Sequence, residues 1–198
     1  MWNKLKGIKK FTTKSELDKI ISVPLFQLED RPVYYYGGGI AVYYTSKCFR
    51  VEGIQRVEYG VPGEYAVGLY HFSDAAVFKM GLGLDAFDAN DVAPLEGDII
   101  DGAVSYRSTF HDIRQWARKD PSEYCQEGET QTLVDGKMTF ENLFIMYGQY
   151  QFYFYGKSKR TKLSGFQFVF RACFVTSNCL EDKQYGLKYG RIGARELG

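Results

Sequence analysis

The stretch Gln149-Tyr-Gln-Phe-Tyr-Phe-Tyr-Gly156, then Lys157-Ser-Lys-Arg-Thr-Lys162, then Gly165-Phe-Gln-Phe-Val-Phe-Arg-Ala-Cys-Phe-Val175, decides the fold class of this chain. Side chains alternate across a strand, so Tyr150, Phe152 and Phe154 share one face while Gln149, Gln151, Tyr153 and Tyr155 share the other. The first set is expected to face a core and the second to stay half exposed. Aromatic runs on both sides of a short polar segment describe two strands joined by a turn that carries four cations, Lys157, Lys159, Arg160 and Lys162.

The same vocabulary extends upstream. Residues 140–147 read as a strand preceded by the turn signal Asp135-Gly136. Phe110, Ile113 and Trp116 recur at helical spacing within residues 110–119, which predicts a helix ended by Pro121. A strand is expected over 102–109, and the residues after the helix, with Glu123, Glu127 and Glu129, read as a polar loop. Val33-Tyr-Tyr-Tyr36 and Ile40-Ala-Val-Tyr-Tyr44 are strands around Gly37, Gly38 and Gly39. Those glycines mark a bend or a close backbone approach. A phosphate cradle would need a helix opening after them, whereas more strand follows. Residues 47–52 and 54–59 suggest a hairpin, 65–72 a strand, and 75–80 a strand or short buried helix. Near the start, Thr13 or Ser15 caps a helix through residues 16–21, and Pro24 stops it. The predicted architecture is α+β, mainly antiparallel sheet with one or two short helices. Residues 1–22 form a flexible basic arm with a short helix, and residues 23–198 one β-rich globular domain.

Composition narrows the function classes. With 45% hydrophobic and 17% aromatic residues in a chain of 198, a packed core is expected rather than disorder. No apolar run is long enough for a membrane-spanning helix, and cations interrupt the first ten residues, unlike a secretory signal; a cytosolic protein is expected. Cys48, Cys125, Cys173 and Cys179 are too scattered for a disulfide framework or a zinc site and read as reduced thiols. A net charge of +1 excludes binding of polyanions by bulk charge and confines any electrostatic function to local patches.

Two such patches stand out. Lys4, Lys6, Lys9, Lys10 and Lys14 crowd the arm, and Lys157, Lys159, Arg160 and Lys162 crowd the turn. A cation held at an anionic membrane contributes about 1 kcal/mol, so the two together suffice for peripheral docking. Trp2, Leu5, Ile8 and Phe11 offer shallow apolar contact, and Trp2, Tyr153 and Tyr155 are candidate interface residues. Tyr153 and Tyr155 beside cations also suit base stacking, which makes a single-strand nucleic-acid-binding or capsid-type protein the alternative function. Asp85, Asp88, Asn90 and Asp91 supply hard oxygen donors, but their order does not match a calcium loop; they read as a solvated acidic loop or a contact for the basic arm of a neighbouring copy. His111 and Asp112 are neighbours on a helix and point about 100° apart, so they do not form a catalytic pair, and His71 reads as a satisfied core or edge residue. An enzyme would require His111 and the acidic loop to converge in one cleft. No catalytic residue, metal or cofactor is expected.

The opening Met1-Trp-Asn-Lys-Leu-Lys-Gly-Ile-Lys-Lys-Phe11 resembles the short basic and apolar start of rhabdovirus matrix proteins, and the length, β-rich core and near-neutral charge are similar. That resemblance implies a non-enzymatic viral structural protein in the virion and at the inner face of the membrane. It implies membrane binding by Lys4, Lys6, Lys9 and Lys10, self-assembly into homo-oligomers, and a nucleocapsid or other viral structural partner. The family commonly carries a proline-rich budding motif after the arm; here only Pro24 and Pro32 occur early.

Overall fold

The computed structural model describes residues 2–5, 8, 12–28, 32–45, 48–52, 55–59, 64–74, 77, 91–134 and 137–169. The described residues up to Pro94, with residues 167–169, form one unit, and Leu95–Phe166 form a second. Each contributes antiparallel sheet and short helices, so the α+β, mainly antiparallel architecture expected from the sequence is present.

The first unit comprises α1 (Trp2–Leu5), α2 (Lys14–Ile21), β1 (Phe26–Gln27), β2 (Val33–Gly37), β3 (Ile40–Thr45), β4 (Cys48–Glu52), β5 (Gln55–Tyr59) and β6 (Tyr65–Phe72). Its strands run in the order β1-β2-β3-β6 with antiparallel pairing throughout. The β4–β5 hairpin, also antiparallel, is a sheet of its own. Helix α2 starts where the sequence places it. Thr13 accepts from the Glu16 N–H, and Glu16 accepts from the Thr13 N–H, a reciprocal cap that satisfies two donors at once. Leu17 and Ile21, four apart, are buried, and the helix ends at Ser22, two residues before Pro24.

The glycine run is a backbone device. Gly37, Gly38 and Gly39 all have positive φ, and a Cβ on Gly39 would collide with the Phe72 carbonyl oxygen. Asp91 accepts hydrogen bonds from the Gly38 N–H and the Tyr35 hydroxyl, and His71 donates from Nε2 to the Gly38 carbonyl at 3.0 Å. Burial, and then the bond to Asp91, push the Tyr35 hydroxyl up to about 12. Burial holds His71 down at about 4, so it is a neutral donor at pH 7. His71 is thus a satisfied core residue, as its apolar sequence context suggests.

The second unit contains β7 (Asp98–Ile100), β8 (Val104–Ser105), α3 (Phe110–Ala117), β9 (Tyr124–Val134), β10 (Lys137–Tyr147), β11 (Tyr150–Tyr155) and the start of β12 (Gly165–Val169). Strand order here is β12-β11-β10-β9, and β9–β10 and β10–β11 are antiparallel. Phe152 and Phe154 are fully buried, whereas Gln151, Tyr153 and Tyr155 are half-buried, which is the expected alternation. Tyr150 is also only half-buried, its ring stacked 5.6 Å from that of Phe152.

Two expectations are corrected. Residues 102–109 are not one strand, because the Gly102 N–H donates to the Asp98 carboxylate and turns the chain back, leaving the small β7–β8 hairpin. Of the acidic residues after α3, Glu123 lies in a turn, but Glu127 and Glu129 are not in a loop, because they belong to the eleven-residue strand β9 and pair with β10. Asp85, Asp88, Asn90, most of residues 75–80 and the C-terminal segment from residue 170 lie outside the described residues, as do Asp135 and Gly136 between the paired Val134 and Lys137.

Candidate functional site

The cationic segment belongs to loop 156–164, which joins β11 to β12 and is tied to the start of α3. A helix leaves its first N–H groups without intrahelical acceptors. Here the Phe110 N–H donates to the Thr161 carbonyl and the His111 N–H to the Lys159 carbonyl, both at 2.9 Å. The Asp112 N–H donates to the Thr109 hydroxyl oxygen, and the Asp112 carboxylate accepts from the Thr109 N–H at 2.9 Å. The helix start is therefore fully occupied by protein groups, and any anion must be held by side chains.

The loop is fixed on its other side as well. Leu163 is buried and its N–H donates to the Ser108 carbonyl, and Thr109 and Lys162 form an isolated antiparallel bridge. The Ser164 N–H donates to the Tyr153 carbonyl, and the Tyr155 N–H donates back to the Ser164 hydroxyl oxygen. Within the loop, Ser158 accepts the Thr161 N–H on its carbonyl and the Arg160 N–H on its hydroxyl. All these contacts use backbone or uncharged groups. The side chains of Lys157, Lys159, Arg160 and Lys162 are thereby left at the surface, all four exposed, with no Asp or Glu between residues 156 and 164.

Neighbouring charges sharpen this surface. Arg107 and His111 are exposed at the edge of the clamped region. The nearest carboxylate on α3, Asp112, is engaged in the cap; the Thr109 N–H and then its hydroxyl hold it below the usual carboxylate range. Arg114 and Arg118, by contrast, both bind Glu127 on β9, Arg114 through two contacts at 2.5 Å and Arg118 at 2.9 Å. Burial raises the Glu127 carboxyl, but the hydrogen bonds from Arg114 and Tyr124 and the two guanidinium charges outweigh it and keep it below the ordinary range. Those two arginines fasten α3 to the sheet. Among the ion pairs of the described residues, Lys159, Arg160 and Lys162 make no such pairing.

The other predicted residues fall differently. Lys4 is exposed on α1, but Trp2 and Leu5 point inward; Trp2 is 5% exposed and meets the Phe168 ring edge-on at 5.9 Å. Shallow apolar contact by these two with an outside surface is thus not available in this conformation. Lys14 lies 2.7 Å from Asp18 and 4.9 Å above the Tyr34 ring. It borders an open cleft of about 370 Å³ lined by Thr13, Lys14, Ser15, Asp18 and Glu64, where two carboxylates outweigh one ammonium. That cleft does not favour anions. Lys6, Lys9 and Lys10 lie outside the described residues. Tyr153 and Tyr155 are half-buried, and burial pushes the Tyr155 hydroxyl up to about 12. His111 is exposed and Asp112 serves the cap, so the two do not act as a pair. Asp91 is committed to Tyr35 and Gly38.

The sequence reading missed the clamp, although Thr109-x-x-Asp112 carries its signature as a capping box. Thr109→Ala is expected to cost about 1 kcal/mol of stability, in line with other cap losses. A urea midpoint unchanged from the parent would show that the cap does not hold this junction. Comparison of the chain with protein-family models, curated proteins and solved structures finds no match.

Proposed function

We propose that this chain is a non-enzymatic structural protein that attaches peripherally to an anionic membrane surface through loop 156–164 and assembles with copies of itself. The observation that carries it is the set of four exposed cations on a loop whose backbone is already tied down, so little ordering entropy opposes contact with phosphate. At about 1 kcal/mol per cation, the loop supplies roughly 4 kcal/mol of attraction to an anionic leaflet. The cytoplasmic leaflet is the anionic one, so the inner face of the membrane is the surface this reading proposes. Headgroup contact is favoured over base stacking because the loop cations are exposed, whereas on β11 Phe152 and Phe154 are fully buried and Tyr153 and Tyr155 only half accessible to a base.

Vesicle co-sedimentation tests this. Binding is expected to rise with the fraction of phosphatidylserine in phosphatidylcholine and to vanish near 1 M salt, where the screening length falls to about 3 Å. Equal binding to neutral vesicles, or binding indifferent to salt, would overturn electrostatic attachment. Tight oligonucleotide binding that falls on Tyr153→Ala and Tyr155→Ala substitution would put the nucleic-acid function in its place.

A further inference from the structure

We propose that the outer edge of β9 is the seat of self-association, where a second copy adds its own β9 antiparallel across a two-fold axis centred on Thr130. This rests on the self-assembly part of the function proposed above and names its interface. Strand β9 ends the strand order, and among the described residues β10 is its sole strand partner. A strand in that position presents a row of outward N–H and C=O groups, which is a template for another strand. Residues 126–134 are nine consecutive positions, each with a β10 partner; the register shift within that run comes from an extra residue on β10, at position 139, whereas the extra residue on β9 itself lies beyond Gln126, at Cys125.

The charge pattern along that run selects the occupant and the register. A two-fold axis normal to a sheet keeps each face on its own side, so it must pass through a position that faces itself. Centring on Glu127 or Glu129 sets a carboxylate opposite its own copy, and centring on Gly128 sets Glu127 opposite Glu129. Like charges directly opposite are destabilising. Centring on Thr130 pairs Glu129 with Gln131, Gly128 with Thr132, Glu127 with Leu133 and Gln126 with Val134, which uses all nine consecutive positions of β9 and opposes no two carboxylates. Later centres shorten the seam, and earlier ones run into the break at Cys125. Residues 130–134, Thr-Gln-Thr-Leu-Val, contain no charge, Pro or Gly that would blunt the edge. Pairing of this kind uses the β9 edge of both copies at once and closes at the dimer.

The full-length Thr130→Cys variant, oxidised mildly and digested, tests the seam. A peptide linked from residue 130 to residue 130 is expected by mass spectrometry, since opposed residues lie within disulfide reach. Gln126→Cys should give no self-link, because its copy would sit eight residues away, about 27 Å along the strand. Light scattering should show a dimer that Thr130→Lys weakens at least tenfold in dissociation constant, because two ammonium groups then face each other. A dimer that lacks the 130-to-130 link and ignores Thr130→Lys would sink this seam while self-assembly stands. A monomer at every concentration would sink both, and vesicle attachment is read independently of either.

Discussion

Phe154→Ala should lower the unfolding free energy by about 3–5 kcal/mol, the range for removing a buried aromatic ring. Phe154 is fully buried, lies opposite Leu143 in the β10–β11 register, and meets the Phe110 ring edge-on at 5.3 Å. Truncation therefore removes the contact between β11 and the first residue of α3 as well as the apolar area. Since α3 and loop 156–164 are tied together at that end, the cavity opens directly beneath the candidate site. A guanidinium titration measures the loss, and Tyr153→Ala, on the half-buried face of the same strand, should cost distinctly less. A loss below about 1 kcal/mol for Phe154→Ala would mean that the ring is not the core element its burial indicates.

Replacing Lys159 and Arg160 together by glutamate should weaken partition onto anionic vesicles about a thousandfold at low salt. Two cations become two anions, a change of about four charges at about 1 kcal/mol each, and every 1.4 kcal/mol is about tenfold. The neutral pair Lys159→Gln with Arg160→Gln should lose about thirtyfold by the same arithmetic. Stability should hardly move, because both side chains are exposed and the clamp at this point uses the Lys159 carbonyl and the Arg160 N–H. Unchanged vesicle affinity in the double glutamate variant, with an unchanged melting temperature, would remove the loop from the binding surface.

The two largest effects differ in how visible they are in the sequence. Phe154 is legible because period two is a local property, and the burial of Phe152 and Phe154 against the half-burial of Tyr153 and Tyr155 follows from it. The α2 cap at Thr13 and Glu16 and the strands around Gly37 are legible for the same reason. Strand β9 is not. Glu127 and Glu129 look like solvent-facing loop residues until Arg114 and Arg118 arrive from α3 and β10 supplies a ladder, and both partners are distant choices made by the fold. The strand expected over 102–109 fails likewise, since one hydrogen bond from Gly102 to Asp98 decides that the chain turns.

The cations at residues 157–162 are plain in the sequence, as is their place between two strands. What the sequence by itself determined is therefore the mainly antiparallel, aromatic-lined sheet, its short capped helices and the location of a positive turn, all of which depend on residue type and spacing over a few neighbours. Only the tertiary structure decided which charges remain at the surface. It spent Lys14 on Asp18 and Arg114 and Arg118 on Glu127, turned Trp2 inward, and fixed the loop by giving the first donors of α3 the carbonyls of Lys159 and Thr161. The physical reason is that an ion pair or a helix-end hydrogen bond is settled by where partners far apart in the chain come to rest, and composition is silent on that.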